Sequence, residues 1–379
     1  MGEKERPMFN DFKKLSKKEW ANNATSDLKG TDVYEKYSWQ LDGLTLDPYY
    51  DGSDLEKIKK LTEFENRLYK NNDPSGEPRV WANIQKIGVK DLKTANKEAL
   101  EALNNGADGI ELDCSEVSKI DFDLLLSNIK LNYCQVSLTN ATHDDSCAFL
   151  KRITKGSPLM EVFVSTIGQD NLDSQLQLIE LSKHQKEIKC IEISAIGDTI
   201  TEQVSNLLLS VNRNIRNLHL GGLNVETAIN PIYVTTKIGT DFFVEIAKIR
   251  AIRNLFFQIA RSYDHNSFLP EDLHIKCIST AWLEESYQPN ANMLKSSTAA
   301  MAAILGGCNS LVVEPENNDG TLTTRIARNV SLVLKEESFL SKTADPVAGS
   351  YYIESLTDQL AQSAWKLFQK KLETTVIEH

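Results

Sequence analysis

Short apolar runs alternate with helix-like segments between residues 80 and 340. The first six runs begin 26–29 residues apart, which is the length of one strand–helix unit. Eight such units in succession predict an α/β fold, a parallel (β/α)₈ barrel. The eight runs are Val80–Gln85, Gly109–Cys114, Gln135–Asn140, Glu161–Thr166, Cys190–Ser194, Asn217–Gly221, His274–Thr280 and Ser310–Val313.

Three regions follow from this pattern. Residues 1–78 form an N-terminal arm and linker, 79–340 the barrel, and 341–379 a C-terminal loop and helix. The sixth unit is longer than the others, and Asn224–Lys237 and Asp241–Arg261 are predicted as two helices that follow its strand. The arm is predicted to contain two helices, Phe9–Trp20 and Ser53–Tyr69, on either side of an extended segment.

The extended part of the arm carries a line of large apolar side chains around a turn at Asp42-Gly43. Such a segment packs either on its own barrel or on a partner chain, and the sequence leaves both alternatives open. The candidates for partner contact are Trp39, Leu41, Leu44, Leu46 and Tyr49.

Composition narrows the class of protein. The net charge of -11 argues against nonspecific nucleic-acid binding, which depends on Lys and Arg at phosphates. No apolar stretch approaches the roughly 20 residues that span a bilayer, and the N-terminus has no apolar signal core. Six cysteines without a CxxC pair indicate reduced thiols, no metal site and a cytoplasmic or organelle-matrix location, of which we predict the cytoplasm.

The carboxyl ends of the predicted strands are mostly Gly, Ser, Thr and Asn. Barrel enzymes hold their chemistry at these ends, so the rim is more typical of a scaffold. Three polar groups remain candidates for a free-standing enzyme with a repurposed site: Asp113, His143 and Glu314. Each also has a structural interpretation: Asp113 as a loop hydrogen-bond acceptor, His143 in the first turn of a helix, and Glu314 in a solvated turn.

The alternation of side chains along a strand predicts the direction in which Asp113 faces. Glu111 and Asp113 alternate with Ile110 and Leu112, so the two carboxylates share one face of their strand. If the two aliphatic residues pack against the helices, Glu111 and Asp113 are expected to face the barrel interior.

Several segments resemble the adenosylcobalamin-dependent acyl-CoA mutases, in particular methylmalonyl-CoA mutase. They occur in the family's order and spacing over most of the barrel, and that family also has a (β/α)₈ barrel. The matching segments are Trp39–Pro48, Asp241–Arg250, Asn292–Gly307, Thr324–Asn329, Lys335–Ser338 and Asp345–Glu354.

The same resemblance exposes losses at the family's catalytic positions. Where catalytic chains carry a Tyr-His pair after the sixth strand, the aligned residues are Leu223 and Asn224. Val312 and Glu314 stand where a His-Thr-Asn segment follows the eighth strand, and Lys86–Val89 replaces a Tyr-containing stretch after the first. The cobalt-ligating Asp-x-His-x-x-Gly motif does not occur, so we expect the cobalamin-binding domain to be absent from this chain.

These losses are similar to those of the non-catalytic small subunits of heterodimeric methylmalonyl-CoA mutases. The resemblance implies a chain with no catalytic residues and no cofactor of its own. It would support a large catalytic subunit that carries adenosylcobalamin and interconverts methylmalonyl-CoA and succinyl-CoA. Alternatives remain open: a repurposed barrel enzyme, a barrel that binds acyl-CoA without turnover, and a homodimer when the chain is isolated.

Overall fold

The computed structural model describes residues 15–58, 79–155, 158–167, 171–279, 291–316 and 321–377. Its nine parallel strands form one sheet, in the order Ile188–Lys189, Val162–Thr166, Gln135–Ala141, Gly109–Asp113, Ala82–Gly88, Ser310–Val313, Ile275–Ser279, Ile232–Ile238 and Ile191–Ser194. The first and last of these segments are two halves of the fifth barrel strand, separated at Cys190, and they pair with Val162–Thr166 and Ile232–Ile238 respectively. The sheet therefore returns to its start, and the predicted (β/α)₈ barrel is confirmed.

The barrel strands are β3 (Ala82–Gly88), β4 (Gly109–Asp113), β5 (Gln135–Ala141), β6 (Val162–Thr166), β7 (Ile188–Lys189), β8 (Ile191–Ser194), β9 (Ile232–Ile238), β10 (Ile275–Ser279) and β11 (Ser310–Val313). The helices after the arm are α4 (Leu92–Asn104), α5 (Phe122–Leu125), α6 (His143–Ile153), α7 (Leu172–Ser182), α8 (Ile200–Leu220), α9 (Val225–Ile229), α10 (Phe242–Ser262), α11 (Ala291–Gly306), α12 (Thr321–Glu336) and α13 (Tyr351–Ile377).

The main apolar core lies between the strands and the helices. Successive strand residues point to opposite faces, and the aliphatic set points outward. Ile110, Leu112, Val136 and Leu138 are all fully buried in this layer. Burial of apolar surface at about 25 cal/mol per Å² makes this layer the main source of stability.

The prediction of the sixth strand was wrong. Asn217–Gly221 is the last turn and C-cap of helix α8, and the strand is Ile232–Ile238, nearly all of which lies in Asn224–Lys237, predicted as a helix. Val211, Ile215 and Leu218 continue the helical spacing of α8 and are fully buried. The true strand is rich in β-branched residues, which favour the extended conformation.

The arm packs on its own barrel. Helices α1 (Lys17–Asp27), α2 (Val33–Tyr37) and α3 (Gly52–Leu55) flank a hairpin of β1 (Trp39–Leu41) and β2 (Leu44–Leu46). The hairpin and α3 contact α13. At the hairpin turn, the Asp42 carboxylate accepts a hydrogen bond of 2.8 Å from the Ile200 backbone N–H, which caps α8. Helix α1 overlaps the end of the predicted helix Phe9–Trp20, whose first six residues lie outside the described residues, as does most of Ser53–Tyr69.

Two of the predicted partner contacts are therefore corrected. Leu44 is 6% exposed and Leu46 fully buried in this chain's own core, so neither is available to a partner. Leu41 packs against the same core, and Tyr49 stacks on Trp20 with ring centroids 4.4 Å apart. Trp39 differs, because it is 46% exposed.

The C-terminal segment is fastened to the barrel by a buried ion network. Arg250 of α10 bonds to Asp345 and lies 2.6 Å from Glu354, and all three side chains are almost completely buried. This network fixes the loop before α13 against α10. Among the described helices, none is long and apolar enough to cross a membrane.

Candidate functional site

Polar side chains from opposite strands meet along the barrel axis. In the layer near the amino ends of the strands, His274 Nε2 lies 2.7 Å from Ser310 Oγ, and that hydroxyl donates to Gln135 Oε1 at 2.9 Å. Because β5 and β11 are not neighbours in the sheet, the contact between Gln135 and Ser310 passes across the barrel. This layer is tightly filled, since a Cβ added at Gly109 would lie 2.5 Å from the Gln135 carbonyl oxygen.

The imidazole of His274 is neutral in this layer. Its burial, followed by the positive charges of Lys189, Arg253 and Lys276, holds the pKa of the imidazole well below its usual range. Glu161 Oε1 lies 3.9 Å from His274 Nδ1. Burial raises the pKa of Glu161 despite the nearby Lys189. This layer therefore holds the imidazole of His274 in its neutral form.

The middle layer is an ion pair across the axis. Lys276 Nζ of β10 donates to Glu111 Oε2 of β4 at 2.8 Å, and both side chains are at most 5% exposed. Burial alone would lower the pKa of Lys276, but attraction by Glu111 and Glu192 outweighs it and the pKa is raised. The expectation that Glu111 faces the interior is confirmed.

Aromatic rings fill the rest of this layer. The Phe163 ring lies 5.0 Å from that of Tyr233 and 4.2 Å from that of His274. The Lys276 ammonium lies 5.8 Å from the centroid of the Tyr233 ring. Large side chains from β4, β6, β9 and β10 thus occupy the barrel axis at this level.

A third cluster sits at the carboxyl ends of the strands. Lys86 Nζ lies 3.2 Å from Asp113 Oδ2 and 3.8 Å from Glu314 Oε1. The Asn140 amide donates to Asp113 at 2.9 Å. Burial opposes the charge of Asp113, but hydrogen bonds from Asn140 and Ser115 and the charge of Lys86 lower its pKa. The carboxylate is therefore held ionised, which suits a fixed acceptor better than a proton-transfer group.

The structure brings together only two of the three polar groups predicted for a repurposed enzyme. Asp113 and Glu314 share Lys86, as described above. His143 lies in the first turn of α6, where its Nε2 is 2.8 Å from Gln177 Oε1 on α7 and 3.5 Å from Cys147 Sγ. Its imidazole is engaged in the helical layer, so the three side chains do not form one site.

The residues aligned with the family's catalytic positions fall in different places. Val312 is fully buried but outside the main apolar core, consistent with a position inside the barrel. Leu223 and Asn224 follow α8, and Asn224 caps α9 by accepting a hydrogen bond from Thr227 N–H at 2.8 Å. They precede β9 and lie at the opposite end of the barrel from the carboxyl mouth, so their predicted place after the sixth strand was wrong.

The loop that follows β8 lies at the mouth of the barrel. The residues following β8 are Ala195, Ile196 and Gly197, without a titratable side chain, and Ile196 is 71% exposed. His143, the described histidine that follows a barrel strand end, is engaged as above. Among the described residues, no group of three or more His, Cys, Asp or Glu could hold a metal ion.

Sequence reasoning missed the two lysines that organise the axis, Lys86 and Lys276. The alternation of side chains along a strand was the available signal. Lys86 and Lys276 each stand two residues from another inward-facing residue of the same strand, so each is expected to face the interior. Charged residues of opposite sign at inward positions on different strands indicate an ion pair, but the partner of each could not be assigned without the register.

These observations define a parallel α/β barrel in which described residues form charged pairs both at the axis and at the mouth. The sequence profile described as methylmalonyl-CoA mutase matches residues 179–374, more than half of the chain. The chain therefore belongs to the methylmalonyl-CoA mutase family.

Curated relatives support the same assignment. The chain is 28% identical to the methylmalonyl-CoA mutase small subunit of Porphyromonas gingivalis, over 97% of this chain and 64% of that protein. It is 26% identical to the small subunit of Streptomyces virginiae, over 91% of this chain and 60% of that protein. The methylmalonyl-CoA mutase of Rhizobium meliloti is 33% identical over 46% of this chain and 25% of its own length. The chain thus spans under two thirds of these relatives.

Proposed function

We propose that this chain is a non-catalytic subunit that supports a large, catalytic methylmalonyl-CoA mutase subunit. The observation that carries the proposal is the occupied barrel axis. Glu111 and Lys276 close the middle layer, and at the mouth Lys86 pairs with Asp113 and lies 3.8 Å from Glu314. A catalytic mouth needs groups that remain free for substrate, whereas Lys86, Asp113 and Glu314, among the residues that the structure describes, interact with one another.

The names of the relatives from Porphyromonas gingivalis and Streptomyces virginiae support pairing with a large subunit. In this proposal the chain binds no adenosylcobalamin, and the large subunit carries it and performs the interconversion of methylmalonyl-CoA and succinyl-CoA. We place the complex in the cytoplasm, since all six cysteines are buried free thiols, as suits a reducing compartment.

Two alternatives have less support. A free-standing enzyme would need Asp113, His143 and Glu314 in one site, but His143 bonds to Gln177 and Cys147 instead. A barrel that binds acyl-CoA along its axis would need space where the rings of Phe163 and Tyr233 meet.

The deciding experiment is co-purification with the cognate large subunit, followed by assay with and without this chain. We expect a one-to-one complex whose conversion of methylmalonyl-CoA depends on both chains. The chain alone should give no turnover and no cobalamin absorbance after incubation and desalting. Turnover or retained cobalamin in the chain alone would disprove the proposal.

The exposed edge of the arm is the proposed contact with the large subunit. Trp39→Asp should weaken the complex at least tenfold while leaving the fold intact, because the side chain is 46% exposed. Tyr133→Asp is the matched control, since Tyr133 is 73% exposed and belongs to the barrel rather than the arm. Equal affinity of the Trp39→Asp variant and the wild type would remove the arm from the interface.

A further inference from the structure

Helix α12 carries a regular line of exposed side chains on its outer face. Leu322 is 57% exposed, Ile326 37% and Val333 43%, and Asn329 and Glu336 are also exposed. The spacing between consecutive members of this line is four, three, four and three residues. That alternation is the a/d spacing of a helix that packs against another helix.

The opposite face of α12 accounts for the packing on the barrel. Ala327, Val330 and Leu334 are buried there, and α12 contacts β3, β11 and α11. Single exposed apolar residues are ordinary on a protein surface. Three aliphatic residues in one a/d line, called the α12 seam here, are a pattern that a second helix would complete.

The α12 seam is close to self-complementary. Ile326 and Val333 flank Asn329 at nearly equal distances along the helix, and exposed Arg325 precedes the centre whereas Glu336 follows it. If two copies pack antiparallel about a two-fold axis at Asn329, Ile326 of each meets Val333 of the other. Arg325 of each helix then lies within about one helical turn of Glu336 of its twin.

Asn329 suits the centre of such an interface. A side-chain amide carries both donors and an acceptor, so two amides related by the axis can bond to each other. A polar residue within an apolar seam fixes the register at some cost in stability. A two-fold interface requires one patch that matches itself, and the α12 seam meets this condition.

We infer that two copies of this chain associate through the α12 seam, with the two helices antiparallel and Asn329 on the two-fold axis. The inference is independent of the mutase role, because it uses neither the barrel axis nor the arm.

Analytical ultracentrifugation over a range of concentrations tests it directly. The wild type should show a reversible monomer–dimer equilibrium, and Ile326→Asp/Val333→Asp should raise the dissociation constant at least tenfold. Leu220→Asp is the control, because Leu220 is 74% exposed on another helix. Arg325→Glu should weaken the dimer, and adding Glu336→Arg to the same chain should restore it.

Cross-linking tests the position of the axis. Under mild oxidation, Asn329→Cys should give a disulfide-linked dimer, with little background because all six native cysteines are buried. Lys97→Cys, exposed on α4, should remain monomeric on a denaturing gel. A monomer at every concentration, a dimer unaffected by Ile326→Asp/Val333→Asp, or no cross-link at position 329 would each overturn the inference. The inference would also be overturned if substitutions in the α12 seam weakened only the binding of the large subunit and left the dimer unchanged.

Discussion

The inner and outer faces of the same strands are built from different chemistry. On β4, Ile110 and Leu112 point outward into a continuous apolar layer, whereas Glu111 between them points inward to Lys276. The interior of such barrels is usually filled by branched aliphatic residues. The contrast suggests that the outer layer supplies most of the stability and that the axis can exchange one chemistry for another without loss of the fold.

Breaking one half of the axial ion pair should have the largest effect. Glu111→Leu leaves the Lys276 ammonium buried without its partner, and we expect a loss of about 3–5 kcal/mol in the free energy of unfolding. Urea denaturation measures it. The double variant Glu111→Leu/Lys276→Met should recover most of the loss, since neither charge then has to be buried. A single variant as stable as the wild type would contradict this account.

A cavity in the outer layer should cost somewhat less. Leu138 is fully buried between β5 and the helices, and Leu138→Ala should lose about 3 kcal/mol through lost burial and the cavity. The same denaturation assay applies. No substitution on the axis should restore the stability of Leu138→Ala. Its loss of unfolding free energy should add to that of Glu111→Leu/Lys276→Met within about 0.5 kcal/mol. Strong coupling would mean that the two faces are not independent.

Mild acid should weaken the axis through His274. The imidazole pKa is well below its usual range in the folded state, so the unfolded chain takes up more protons below about pH 6.5. Stability should therefore fall by up to about 1.4 kcal/mol between pH 7.5 and 5.5. Glu161, whose folded pKa is raised, acts in the opposite direction over this range.

His274→Gln is the matched variant for the acid effect. It keeps a donor for Ser310 but does not titrate, so its unfolding free energy should fall less between the two pH values. If the wild type and His274→Gln lose the same stability, another group is responsible.

The smallest effect is expected at the arm, outside both layers. Asp42→Ala removes the cap on Ile200 N–H and should cost about 1 kcal/mol. Asp42→Asn should cost less, because it keeps an oxygen acceptor and tolerates the positive φ of 49° at this turn. Both are measured by thermal unfolding. A cost at Asp42→Asn equal to that at Asp42→Ala would assign the effect to the charge.

Much of the barrel could be predicted because period and composition agree locally. Gln135–Ala141 and Ser310–Val313 are short apolar strands between turn signals, and the structure has them nearly as predicted. Asn217–Gly221 failed because α8 runs for 21 residues and its last turn resembles a short apolar run. The error also misplaced Leu223 and Asn224. Length should have favoured one long helix.

The site could be predicted only in part, since contacts across the axis depend on register. Glu111 could be assigned to the interior by alternation, but its pairing with Lys276 joins residues 165 positions apart. The burial of Leu44 and Leu46 was one of two open alternatives. A pattern shows which residues need a covering surface but does not name the surface that covers them.

The attachment of the arm has a consequence for synthesis on the ribosome. Asp42 binds a backbone N–H 158 residues later in the chain, and the Tyr50 ring packs on Tyr352, with centroids 5.3 Å apart. At about 5–20 residues per second, Ile200 is made roughly 10–30 s after Asp42. The interval between Tyr50 and Tyr352 is longer still. The hairpin strand that holds Leu44 and Leu46 contacts α13, so its covering surface is complete only after α13 has been made.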